Sequence, residues 1–136
     1  MLDPGSVPPV DAEEMLSRFV LTRRHINQQS QLLKADAFVP HPHTELSVTR
    51  GRDATDAEIW QVGQRVAEKR AKTLVGRGDA IAATYWGQRL KVVADPVAGN
   101  PNHANVAGWP SDDKPAQKLI AQEIAAVAKF VAFAEA

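Results

Sequence analysis

A helix-period stripe starts directly behind a capping box, and short strand-like runs lie on both sides of it. Thr55 and Glu58 have the spacing at which each side chain satisfies a free backbone amide at a helix start. Behind them Ile59, Val62, Gly63, Val66 and Ala67 recur at spacings of three and four, which predicts a helix from about residue 56 to 72 with these residues buried. A second stripe runs from a cap at Asp112 or Asp113 through Pro115, Ala116, Leu119, Ile120, Ile124, Val127 and Val131.

The intervening segments read as strands. Ser17–Thr22 is a short apolar run around Phe19, Val20 and Leu21. Residues 26–36 are Gln-rich and fit a short helix or an ordered loop. Residues 38–43, Phe-Val-Pro-His-Pro-His, are held extended because each proline pushes its predecessor out of the α region. Glu45–Arg50 alternates, with Leu46 and Val48 on one face. Residues 79–86 and 89–95 read as two strands of a hairpin turning at Gly87-Gln88. His103–Ala107 reads as a further strand between the loop with Pro96, Gly99 and Pro101 and the turn at Gly108-Trp109-Pro110. This order predicts an α+β domain, a small and mainly antiparallel sheet with two helices packed on one face. A hairpin excludes an all-parallel sheet.

A chain of 136 residues makes one domain. Residues 1–14 contain three prolines and few apolar groups, so a flexible, dispensable tail is expected there, with the folded domain over 15–136. With no cysteine, disulfides and thiolate chemistry are excluded. No apolar run reaches the roughly 18–20 residues that span a bilayer. The start of the chain lacks a basic segment followed by an apolar stretch, so a cytoplasmic protein with no membrane role is expected. The net charge is zero but segregated: thirteen Lys or Arg face seven Asp or Glu between residues 15 and 91, and the remainder carries the opposite excess. Nucleic acid therefore gains little from the overall charge, although a local basic face can hold a phosphate or an acidic partner.

Four groups of residues invite a functional reading. His41 and His43, two apart on extended chain, share a side and could share a metal with His103 or Asp95. No clustered second ligand pair exists, so neither metal nor cofactor is expected. The second group, Asn102, His103, Asn105 and Trp109, sits between Gly and Pro turns and can orient and stack on a ligand, with His103 as an acid or base; the plain reading is turn-forming Asn, a core Trp109 and a His103 bonded to backbone. Arg23, Arg24, Arg50 and Arg52 lie at strand ends, where Arg50 can clamp an anion or simply pair with Asp53 and Glu45. The fourth, Arg65, Lys69 and Lys72, makes a basic helix ridge that can meet phosphates, or that is an ordinary solvated face with Glu68 pairing Lys72. No dinucleotide fingerprint, phosphate loop, HExxH or nucleophile elbow is present.

Ala37-Phe38-Val39-Pro40, Leu46-Ser47-Val48-Thr49-Arg50, residues 100–106 (Asn-Pro-Asn-His-Ala-Asn-Val) and Gly108-Trp109-Pro110, followed by an Ala-rich helix, resemble a loose group of small bacterial proteins of unknown function. The resemblance spans roughly residues 17–133. It implies a bacterial or phage origin and assigns no activity. The expectation is a non-catalytic binding or interaction protein, accessory to a larger bacterial system. It would use a protein partner or a second copy through the final helix, where Val127, Phe130, Val131 and Phe133 surround much of the circumference. The alternatives are a small enzyme acting on an anionic ligand, with Arg50 as clamp and His103 as acid or base, and nucleic-acid binding through the Arg65 ridge.

Overall fold

The computed structural model describes residues 3–40 and 43–134. Six strands form one antiparallel sheet: β1 (Met15–Val20), β2 (Leu46–Arg50), β3 (Gly76–Ile81), β4 (Lys91–Ala94), β5 (His103–Ala107) and β6 (Lys129–Ala132), in the order β4-β5-β2-β1-β3-β6. Three helices cover it: α1 (Asp56–Lys69), α2 (Ala82–Trp86) and α3 (Lys114–Val127). This is the α+β arrangement that the element order predicts. No helix among the described residues is long and apolar enough to cross a membrane.

Strand register assigns every side chain to a face, because neighbours along a strand point to opposite sides. Leu16 pairs with Arg50 and Ala80, and Leu46 with Val106. One face therefore carries Leu16, Arg18, Val20, Leu46, Val48, Ala80, Ala104 and Val106. A 3-10 turn at Ala35–Phe38, together with α2 and α3, covers it through Phe38, Tyr85, Ala121 and Ile124, all part of one buried cluster. The other face carries Ser17, Phe19, Ser47, Thr49, Arg77, His103 and Asn105. Here lies α1, with Gly63 so close to Phe19 that an added Cβ would sit 2.7 Å from its ring. The element order placed α1 beside α3; the sheet separates them, because the stripe of α1 meets Phe19 and Leu74 rather than the main cluster.

The capping box forms as expected, Thr55 accepting from the Glu58 amide and Glu58 from the Thr55 amide. Ile59, Gly63 and Ala67 are buried, whereas Val62 and Val66 are only half-buried. Two other expectations are corrected. The hairpin over 79–95 does not form: Ala82–Trp86 is helical, and β4 pairs with β5 instead of β3. Local helix propensity in Ala-Ala-Thr-Tyr-Trp and the docking of the Ala82 and Ala83 amides on Glu14 O and Ala12 O win over the turn signal. The final helix stops at Val127, and Phe130 and Val131 belong to β6, where backbone pairing with the open edge of β3 outweighs one more helical turn.

Part of the N-terminal segment contacts the domain. Arg50, expected as an anion clamp, is fully buried and donates through Nε and Nη2 to the Glu14 carboxylate, the latter at 2.9 Å, and through Nη2 to Pro9 O at 3.2 Å. Residues 9–14 are thus held to the domain by an ion pair that composition alone does not display. Removing one partner of such a pair leaves an uncompensated buried charge. Glu14→Ala is expected to destabilise the fold by about 3 kcal/mol, and deletion of residues 1–14 by at least as much. Deletion of residues 1–8, which leaves Pro9 and Glu14, is expected to change little. Urea unfolding of the three variants checks this.

Candidate functional site: a cationic cleft where two strands part

β1 and β2 are paired only at Leu16–Arg50 and Ser17–Thr49. Beyond these positions the strands diverge, and their facing backbone groups need other partners. Arg18 fills the gap. Its Nε donates to Ala37 O at 3.1 Å and its Nη1 to Ser47 O at 3.1 Å. A cleft of about 200 Å³ opens at this split on the α1 side. Phe19, Leu21, Val48 and Val66 give it apolar walls. Arg18, His25, Arg70 and His103 contribute cationic or basic groups, and Ser47, Thr49 and Asn100 neutral polar ones. Among the described residues no carboxylate lines it.

The electrostatics follow from that lining. Burial, and then the neighbouring Arg70, lower the Arg18 guanidinium to about 10, with Tyr85 acting in the opposite direction. His25 is also held below its usual 6.5, first by desolvation and then by the charge of Arg18, with Asp36 opposing. Desolvation is the larger cause for both and a neighbouring guanidinium the second, so an anion beside them would favour their charged forms. Burial raises the Tyr85 phenol above its ordinary range, and its hydroxyl has no hydrogen-bond partner among the described residues.

His103 closes the other end. Its Nδ1 lies 3.0 Å from Asp95 O and 3.2 Å from the Asp95 carboxylate, which also accepts from Asn105 Nδ2 at 2.9 Å. A backbone carbonyl only accepts, so Nδ1 carries the proton and Nε2 is the free acceptor of the neutral ring. Asn100 donates to Thr49 Oγ1 at 3.2 Å and holds the cleft's floor.

The expected site residues are therefore divided. His103 lines the cleft, and Asn105 supports it through Asp95. Asn102 instead spans a turn, donating to Arg52 O at 2.8 Å. Trp109 is buried in the opposite cluster with its Nε1 bonded to Val106 O, which is the core role that its plain reading gave it. Arg50 lies across the sheet from His103, so the two cannot act on one ligand. On α1, Arg65 is bonded to Gly99 O at 3.0 Å, while Lys69 and Lys72 are exposed and remain an ordinary solvated face. The metal reading rests partly on His41, outside the described residues; among the described residues no three His, Cys, Asp or Glu gather in metal-binding geometry. Arg18, His25 and Arg70 were missed. Only Arg18 left a signal, a charged residue between Leu16 and Val20 at a core-facing position. No protein-family model, curated protein or solved structure matches the chain.

A histidine held below 6.5 binds fewer protons in the folded chain than in the unfolded one, so its contribution to stability is present above that value and lost as pH falls through it. His25 is expected to show a titration midpoint below 6.5 by proton NMR. His25→Gln is expected to lose less stability than the parent between pH 7.5 and 5.5 in urea unfolding, and an equal loss would count against a strained His25.

Proposed function

We propose that the protein is a non-catalytic binding protein whose ligand is a small anion held in the cleft between β1 and β2. One observation carries this reading: Arg18, partly buried at the split, bonds to backbone carbonyls and has no carboxylate partner among the described residues, while the buried Arg50 and Arg77 have theirs. Arg50 has Glu14; Arg77 has Asp56 at 2.9 Å, Asp79 at 3.1 Å and the face of Trp60. A partly buried guanidinium whose charge no carboxylate compensates is costly. Its Nη2 has no protein partner among the described residues, and a bound carboxylate or phosphate would accept from it in a charge-assisted bond. Arg70, exposed at the rim, would supply the second cation.

Phenylacetate, hexanoate and inorganic phosphate serve as probes in isothermal titration calorimetry. At least one is expected to bind, and the neutral amide of a binding acid is expected not to. A charge-assisted hydrogen bond is worth about 1.5–3 kcal/mol, so Arg70→Ala is expected to weaken binding by roughly tenfold or more. Arg70 is exposed, so that variant should keep the parent's thermal midpoint. Silence from all three anions, or equal binding of acid and amide, would reject the reading.

A further inference from the structure

Resting on that reading, we infer that the ligand is an organic acid of about ten non-hydrogen atoms with an apolar body, and that it carries a hydrogen-bond donor about 7 Å from its acid group, received by His103 Nε2. The length comes from strand register. Arg18 bonds to Ser47 O, and Arg70 lines the cleft beside Ser47 and also the shallow groove beyond it, where His43, Thr44, Glu45 and Asn105 lie. The cationic end therefore sits at the level of Ser47. His103 pairs across the sheet with Thr49, two residues along the same strand. Side chains two apart on a strand point the same way, separated by roughly 7 Å.

The middle of the cleft decides what joins the two ends. Phe19, Val48 and Val66 line it, and apolar walls favour a hydrocarbon body over a polar one. The volume of about 200 Å³ is below the usual range for drug-sized ligands, so nucleotides and peptides are too large to be enclosed.

The far end decides the second group. His103 Nδ1–H is committed to the Asp95 carbonyl, so Nε2 of the neutral ring can only accept. An inward-facing acceptor left unpaired beside a ligand loses its hydration without return. A ligand hydroxyl or N–H restores that bond, and an acceptor-only ligand does not. Asp95 itself is turned to the Nδ1 side with Asn105, so it holds the ring without meeting the ligand. His103 is a specificity-determining residue in this arrangement, and no bond of the ligand is made or broken.

The test compares phenylacetate with 4-hydroxyphenylacetate by calorimetry at pH 8. A well-placed hydroxyl adds about 0.5–1.5 kcal/mol, so the hydroxylated acid is expected to bind roughly threefold to tenfold more tightly. In His103→Leu that advantage should vanish, the two acids then binding with equal affinity. Should the variant fail to fold, the parent's imidazole nitrogen-15 spectrum decides: Nε2, pyridine-like in the free protein, should shift upfield with 4-hydroxyphenylacetate and stay in place with phenylacetate. An unchanged Nε2 with both acids, or a hydroxyl advantage that survives His103→Leu, would overturn the inference and leave Arg70-dependent anion binding standing. Absence of binding by either acid, together with silence from hexanoate and phosphate, would remove the anion reading and this inference with it.

Discussion

The split between β1 and β2 governs the rest of the molecule, and Arg18 is what makes the split tolerable. Two strands that part inside a sheet leave carbonyls facing a gap, and each buried unpaired carbonyl costs of order 1–3 kcal/mol. Arg18 answers one of them, Ser47 O of β2, and ties it to Ala37 O of the neighbouring 3-10 turn from a single planar fork. The same fork brings a positive charge to the bottom of a partly apolar cleft. Structural cement and ligand-directed charge are thus one side chain. A neutral replacement would relieve the buried charge but strand both carbonyls, so the chain has no inexpensive way to discharge the cleft.

Three arginines project inward from the sheet, and their different surroundings separate structure from site. Arg50 is neutralised by Glu14 and ties the N-terminal segment across one face. Arg77 on the other face is held between Asp56 and Asp79 and lies 4.6 Å from the Trp60 ring centroid, fastening α1 to β3. Asp79 also receives Ser17 Oγ at 2.7 Å, extending this network to β1. Both arginines are saturated by their own chain except for one guanidinium nitrogen each. Arg18 is only partly buried and has no carboxylate partner among the described residues, and Arg70 adds to its charge instead of cancelling it. The proposed anion site lies at the one of these three arginines whose charge is not met by a carboxylate among the described residues.

Much of the scaffold was legible because it is written in local chemistry. The capping box at Thr55 and Glu58, the alternation of Leu46 and Val48, and the strand at His103–Ala107 all depend on neighbours within a few residues. What was not legible depends on long-range pairing. Ala82–Trp86 reads as strand until its amides find the backbone of Ala12 and Glu14, and Phe130 and Val131 read as helix until β3 offers an open edge. Glu14 looks like part of a solvated acidic tail, because nothing nearby in sequence announces its partner 36 residues away. The candidate site suffered the same way. His103 stood out through its Gly- and Pro-bounded loop. Arg18, His25 and Arg70 come from β1, a 3-10 turn and the residue that caps α1, and only the fold brings them to one cleft.

The segregated charge of the chain acquires a local meaning in this arrangement. The basic excess between residues 15 and 91 supplies Arg18 and Arg70, while the acidic N-terminal segment contributes Glu14 to Arg50 on the far face and Asp95 stands behind His103. The molecule as a whole is neutral, so it exerts little long-range pull on an anion beyond a Debye length of about 8 Å at physiological salt. Attraction is felt inside the cleft, where apolar walls lower the screening. A site built in this way would discriminate by fit and by the pairing of one partly buried guanidinium, not by the gathering of anions from a distance. Polyanions such as nucleic acid gain little from it, since their charge must be met over a broad surface and the solvated Lys69 and Lys72 form no continuous track with the cleft. The charge pattern, the small cleft volume and an Arg18 that meets no carboxylate among the described residues are the grounds for proposing a single small acid over an extended partner.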